Sequence, residues 1–299
     1  MDYTKALQQG CDTVLLGIKN FDPAQILDCG QCFRWEADDS SGYTGIAHGR
    51  QLQVILDGDR LVLKNVSLEE FEATWKDYFD LNRDYSTILS QYASDPSLAK
   101  ATAFSPGLRV MRQDPWETLI TFILSQNSNI PRIKKMVSGL CNLFGEALVS
   151  DTNNSTQASN LLTPNSKTHE IGCHAFPSPE ALADLTPEAL APVKSGYRAP
   201  YIIDAAKQVA QGNICLTALQ SAPTHEIKKT LLQIHGVGPK VADCVLLFGF
   251  GRVEVCPMDV WMKRVMSTMY PGGFPEELHS TAGIAQQYLF HYARVCIQR

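Results

Sequence analysis

The chain has 299 residues, 44% of them apolar and 19% charged, which excludes a disordered chain, a coiled coil or a collagen-like fibre. The net charge of −5 argues weakly against a polyanion partner, yet residues 1–100 hold 9 Lys and Arg against 16 Asp and Glu, while residues 101–299 hold 17 against 15. A polyanion would therefore meet the second part, through a local patch and not a global field.

Met1-Asp2-Tyr3-Thr4-Lys5 lacks the basic end and apolar stretch of a secretory signal. The longest apolar runs, such as Val245–Phe250, are far short of the ~18 residues that cross a membrane. An intracellular protein without a membrane partner is expected, in the cytoplasm or nucleoid of a bacterium or the nucleus of a eukaryote. The nine cysteines are odd in number and scattered. Their one close pair, Cys29 and Cys32, lies in a β-rich stretch and has no second pair to complete a zinc site. Buried reduced thiols are expected, with no metal and no cofactor.

Gln31–Glu36, Tyr43–His48, Leu52–Leu56 and Arg60–Lys64 read as short strands, with Asp57-Gly58 as the two-residue turn of a hairpin. Ser67 and Glu70 form a capping box, and Phe71, Trp75, Tyr78 and Phe79 line one face of the helix that follows. From about Asp95 the texture changes to helices. Asp95-Pro96, Asp114-Pro115, Ser178-Pro179 and Thr186-Pro187 each pair a capping side chain with proline at the first helical position, where its missing N–H is no loss. Residues 150–173, rich in Ser, Thr, Asn and Gln, read as a polar surface insertion that the activity does not need. The expected fold class is α+β: an antiparallel sheet with helices over residues 1–103, then an all-α domain over 104–299.

Chemistry concentrates in His235-Gly236-Val237-Gly238-Pro239-Lys240. One helix is predicted to end at Ile234, a Gly-Val-Gly turn follows, and Pro239 opens the next helix. The glycines permit close backbone approach, and the free N–H groups with the positive helix end make an anion site suited to a DNA phosphate. A plain turn between packed helices is the alternative. Lys240 lies in the first turn of a helix that is apolar nearly all round, where burial and the dipole would lower its pKa and leave a nucleophilic amine. On position alone, a packed stem with its tip on a phosphate stays equally open. Nineteen residues on, Asp259 follows Pro257 at the opening of another helix, as a cap, a catalytic carboxylate or both.

A Gly-x-Gly-Pro-Lys hairpin, an apolar helix, the Gly-rich turn Gly249–Gly251 and Pro-x-Asp together resemble the helix–hairpin–helix DNA glycosylases. The bifunctional branch has a lysine where Lys240 stands. Within that superfamily the chain is similar to the 8-oxoguanine DNA glycosylase/lyases over nearly its whole length. Gly30-Gln31-Cys32-Phe33-Arg34-Trp35, Arg112-Gln113-Asp114-Pro115, Asn127-Ser128-Asn129-Ile130-Pro131-Arg132, Gly196-Tyr197-Arg198-Ala199, and Ala285-Gln286 with Phe290 carry the likeness.

The resemblance implies a TATA-binding-protein-like sheet in the first domain and, in the second, a hairpin at about residues 225–250. It also implies roles. Lys240 attacks the sugar and Asp259 stabilises the charge that develops there. Gly30 offers its carbonyl to the ring N–H that oxidised guanine has and guanine lacks. Gln286 reads the pairing edge of the flipped base, while Phe290 and Cys244 wall its pocket. Asn127 fills the gap in the duplex, Arg132 and Arg198 hold the orphaned cytosine, and His235, Gly236, Val237 and Gly238 meet the DNA backbone. The chain departs from the family pattern at Trp261, where eukaryotic members have histidine, at Ala293, where an acidic residue is usual, and at Ser128, which interrupts an asparagine triplet.

The expected activity is base-excision repair by a monomer: removal of 8-oxoguanine opposite cytosine from double-stranded DNA, then strand cleavage through a lysine imine. Only Cys296 follows Cys256, so the four-cysteine iron–sulfur cluster of the endonuclease III branch is not expected. Two alternatives are a glycosylase for another damaged base on the same scaffold and a non-catalytic helix–hairpin–helix DNA-binding protein. The lysine argues against the alkylation branch, which uses water. A mere binding module would need neither Asp259 nor a pocket.

Overall fold

Strands form where apolar residues alternate between turn signals, and the sheet shows this directly. Leu52 and Val54 on one strand and Leu61 and Leu63 on the next are all buried, with the partly exposed Gln53 and Val62 between them. The computed structural model describes residues 1–39, 42–148 and 173–296. Within these, β1 (Lys5–Gln9), β2 (Asp12–Leu16), β3 (Trp35–Ala37), β4 (Gly42–Ala47), β5 (Arg50–Asp57) and β6 (Arg60–Leu63) form one antiparallel sheet in the order β1-β2-β6-β5-β4-β3.

Helices pack against the sheet and then form a layer of their own. Near the sheet lie α1 (Pro23–Leu27), α2 (Leu68–Glu70), a π-helical turn (Phe71–Trp75) and α3 (Lys76–Tyr78). The helical part comprises α4 (Tyr85–Tyr92), α5 (Pro96–Phe104), α6 (Pro115–Leu124), α7 (Ile130–Phe144), α8 (Pro179–Ala183), α9 (Ala199–Ala210), α10 (Leu216–Leu219), α11 (Thr224–Leu231), α12 (Pro239–Phe248), α13 (Val260–Met269) and α14 (Ala282–Cys296). No helix among the described residues is long and apolar enough to cross a membrane. The expected caps are in place: Ser67, Asp95, Asp114 and Ser178 each accept a backbone N–H from the first turn of their helix.

Several local expectations are corrected by tertiary contacts. Gln31–Arg34 is not strand. The Gln31 amide donates to the Ile26 and Arg109 carbonyls and accepts from Met111 N–H, tying this segment to the chain near residue 110 instead of to a sheet neighbour. The hairpin turn is Gly58-Asp59, one residue later than expected, because Asp57 pairs with Arg60 and only Gly58 takes positive φ. Thr186-Pro187 opens a turn and no helix. β1 and β2, absent from the sequence reading, add the outer pair of strands.

Two cores meet along residues 29–35. Cys29 and Phe33 point into the helical core, while Cys32 and Trp35 point into the sheet core. Both thiols donate to backbone carbonyls, of Ile26 and Leu27. Among the described residues, no cluster of His, Cys, Asp or Glu could hold a metal ion. Tyr85 to Ala101 pack into the helical core, ahead of residue 103, and Met111 packs into the sheet core beyond it. The insertion expected at 150–173 lies outside the described residues except for Cys173, whose carbonyl accepts from Leu148 N–H at 2.7 Å.

Candidate active site

The hairpin is built by two close approaches. Gly236 has φ +82°, and a Cβ there would lie 2.2 Å from Cγ of Tyr201, so only glycine fits. The helix before it, α11, ends at Leu231 and not at Ile234, and a turn covers the interval. His235 donates its N–H to Asp204 Oδ2 at 2.9 Å and sets its ring edge-on to Tyr201. Val237 is buried and anchors the turn. Gly238 is the N-cap of α12 and supplies no capping side chain, so the first N–H groups of α12 stay open to an anion.

Lys240 and Asp259 stand at the starts of two helices, α12 and α13. Lys240 is half-buried, with Nζ 5.1 Å from the centre of the Phe122 ring, which stacks on Phe248. One turn on, Cys244 is buried. Burial pushes its thiol up to about 11; Lys240 opposes that rise, while Asp243 and Asp259 add to it. Asp259 is the N-cap of α13, its Oδ1 accepting from Met262 N–H at 2.8 Å. Its Oδ2 has no hydrogen-bond partner among the described residues. Pro257 lies two residues ahead of this cap and does not open the helix, whose start the aspartate side chain sets. The carboxylate is thus a cap with one oxygen to spare.

Gly30 has φ +96°, and a Cβ there would press on Ile130 Cδ1 at 2.9 Å and Arg294 Nη1 at 3.2 Å. Its carbonyl accepts no hydrogen bond among the described residues. Arg294 spans from this turn to Phe290, donating to the Cys29 and Asp28 carbonyls while its guanidinium lies 5.7 Å from the Phe290 ring centre. Gln286, on the same helix, is 5% exposed, and its Oε1 is buried without a hydrogen-bond partner among the described residues. It lines a cavity of about 430 Å³ together with Cys256, Met258, Met262, Met266 and Leu289. The expected walls Cys244 and Phe290 do not line that cavity. The methionines escaped sequence reasoning, although Met258 and Met262 flank Asp259 at a helix start, where side chains turn toward the same site.

A third group gathers around Asn127. This residue is exposed, with φ +47°, just after α6. Arg132 is also exposed, in the first turn of α7 that Asn129 caps, and its guanidinium has no partner among the described residues. Arg198 differs from the expectation. It is 2% exposed, and its donors are taken by the carbonyls of Gln126, Asn127 and Ser195. A guanidinium buried against three carbonyls braces the Asn127 turn and is not a free fork for a base. Tyr197 beside it is 53% exposed with its ring over Arg198, a candidate DNA contact that the sequence reading quoted only within a motif.

Comparisons with known proteins bear on the fold and the family. Residues 13–119 match the 8-oxoguanine DNA glycosylase N-terminal domain, and residues 120–276 match the HhH-GPD superfamily of base excision DNA repair proteins. The N-glycosylase/DNA lyase of Saccharomyces cerevisiae is 34% identical over 274 residues, covering 83% of this chain and 68% of the yeast protein. The chain belongs to the 8-oxoguanine DNA glycosylase/lyase family. Two solved structures of the family are similar throughout. MBOgg1 in complex with a low-affinity DNA ligand is 39% identical with a TM-score of 0.87, covering 100% of both chains. The Clostridium acetobutylicum 8-oxoguanine glycosylase/lyase, bound to double-stranded DNA with cytosine opposite 8-oxoguanine, is 33% identical with a TM-score of 0.86, covering 98% of this chain and 99% of that one.

Within this glycosylase/lyase, the departures noted in the sequence sit around the site. Trp261 is half-buried under the Arg264 guanidinium at 5.7 Å. Ala293 is fully buried. Ser128 Oγ is buried without a hydrogen-bond partner among the described residues.

Proposed function

We propose that this chain removes 8-oxoguanine from opposite cytosine in duplex DNA and then cleaves the abasic strand, acting inside the cell as a monomer. The observation that carries the reading is the placement of Lys240 in the first turn of a helix whose opening N–H groups have no capping side chain, with the Asp259 carboxylate capping the next helix through one oxygen. One chain supplies every group the chemistry needs, which supports action without a second subunit.

The hairpin N–H groups hold a backbone phosphate and bring the damaged nucleotide over Lys240. Extruding the base costs a few kcal/mol of stacking, offset by pocket and gap contacts. Lys240 attacks the anomeric carbon through its amine nitrogen; the bond from that carbon to the base breaks, and the base leaves with the electron pair and takes up the proton that the amine gives up. The spare oxygen of Asp259 stabilises positive charge on the sugar during this exchange. The amine adduct opens the sugar ring to an imine, and loss of the adjacent proton expels the 3′ phosphate oxygen. Gly30 and Gln286 supply acceptors that suit the extra ring N–H and the donor edge of an oxidised guanine. Leaving such buried groups unpaired penalises the wrong base strongly.

Borohydride trapping on an 8-oxoguanine:cytosine duplex tests this. The native chain should be captured on DNA, and Lys240→Gln should neither trap nor cleave. Asp259→Asn should retain much of the cap but slow excision at least ~100-fold. Excision at the native rate by Lys240→Gln would overturn the mechanism.

A further inference from the structure

Gln126 faces two functional groups at once. Its backbone carbonyl accepts from Arg198 Nε at 2.9 Å, from Arg198 Nη2 and from the Tyr197 hydroxyl at 3.4 Å. The same Arg198 Nη2 donates to the Asn127 carbonyl at 3.2 Å, so the whole peptide turn is gripped from one side. From the other side, Gln126 Nε2 donates to the Gly236 carbonyl at 3.1 Å. Gly236 has little room to yield, because it is pressed against the Tyr201 ring and held at positive φ. Four residues later stands Lys240, in the first turn of α12.

We infer that Gln126 is a positioning residue that ties the turn carrying Asn127 to the hairpin carrying Lys240, so that insertion of Asn127 into the duplex sets the lysine for attack. The inference rests on the function proposed above and adds a link between two of its steps. A chain of directional hydrogen bonds between rigid elements transmits a small displacement because packed elements shift together. When Asn127 does not enter the gap, the turn stays where the unbound enzyme holds it, and so does the start of α12. Attack then waits on extrusion, which protects bases that remain stacked.

A double-mutant cycle separates this role from ordinary bracing. Single-turnover excision from an 8-oxoguanine:cytosine duplex is measured at saturating enzyme for the native chain, Gln126→Met, Asn127→Ala and the double variant. Gln126→Met keeps the length of the side chain and loses the donor; Gln126→Glu, which also cannot donate, is the second variant should the first fold poorly. Coupling predicts that Gln126→Met slows excision about tenfold while duplex affinity stays within about threefold. Asn127→Ala should then cost much less in that background than in the native one. Independent, multiplying losses would overturn the inference, as would parallel losses of affinity and rate. A native chain that leaves 8-oxoguanine in place would instead sink the functional reading, and this inference with it.

Discussion

Arg294 and Phe290 lie one turn apart on α14, and the guanidinium that covers the Phe290 ring at 5.7 Å also donates to the Cys29 carbonyl at 3.3 Å. One side chain therefore joins the Gly30 turn, near the start of the chain, to the aromatic residue near its end. The cation–aromatic contact and the two carbonyl bonds fix the spacing between these two segments.

Removing that strap should loosen recognition more than folding. Arg294→Met keeps the packed stem but loses all three contacts, and excision of 8-oxoguanine should slow roughly tenfold, at about 1–2 kcal/mol for a lost charged hydrogen bond. Single-turnover assays with 8-oxoguanine and guanine opposite cytosine would check it. Unchanged rate and discrimination would show that the Gly30 turn needs no anchor.

The two arginines near Asn127 should behave differently. Arg132 has a free guanidinium, so Arg132→Ala should relax the preference for cytosine over adenine opposite the lesion by about 5- to 150-fold. Arg198 is occupied by backbone carbonyls. Arg198→Ala should slow all four pairings alike, because it releases the turn that positions Asn127. Rates for C, T, G and A opposite the lesion decide the matter, and a pairing-selective Arg198→Ala would reverse the assignment.

Asp2 and Arg109 form a buried ion pair at 2.8 Å, with Arg109 also bonded to the carbonyls of Asn20, Phe79, Asp80 and Arg83. Burial alone would raise the Asp2 pKa, but bonds from Arg109, Tyr85 N–H and Ser86 bring it below its ordinary 3.8. The pair therefore stabilises fully above that value, and the contribution fades as pH falls toward the lowered one. Asp2→Asn should cost about 3–5 kcal/mol at pH 7, by leaving the arginine charge buried and unpaired. Urea unfolding from pH 2 to 7 should show the difference from native shrinking at the acid end.

Glu117 carries the opposite sign. Burial, only partly countered by Arg34 at 3.3 Å, raises its pKa from 4.5 to about 7. Its contribution to stability is complete below pH 4.5 and is lost as pH rises through about 7, since the unfolded chain gives up the proton first. Glu117→Gln should match the native chain near pH 4.5 and exceed it at pH 8 by about 1 kcal/mol or more. Equal pH dependence in the two chains, followed by denaturant midpoints, would refute the shift.

Features set by neighbours a few residues apart were legible from sequence alone. Asp95, Asp114, Ser178 and Asp259 cap helices through bonds that span two or three residues, and Gly236-Val237-Gly238-Pro239 turns the chain through its own backbone preferences. Residue types alone therefore specified the hairpin, the lysine in its second helix and the aspartate at the next helix start. Tertiary structure decided the rest. Gln31 left the sheet because its amide found partners near residue 110, and β1 paired only because β2 offered an edge. Arg198 looked like a free arginine until the fold buried it against carbonyls some 70 residues earlier. Such contacts join distant segments, and burial determines whether a charged group faces DNA or holds the scaffold that does.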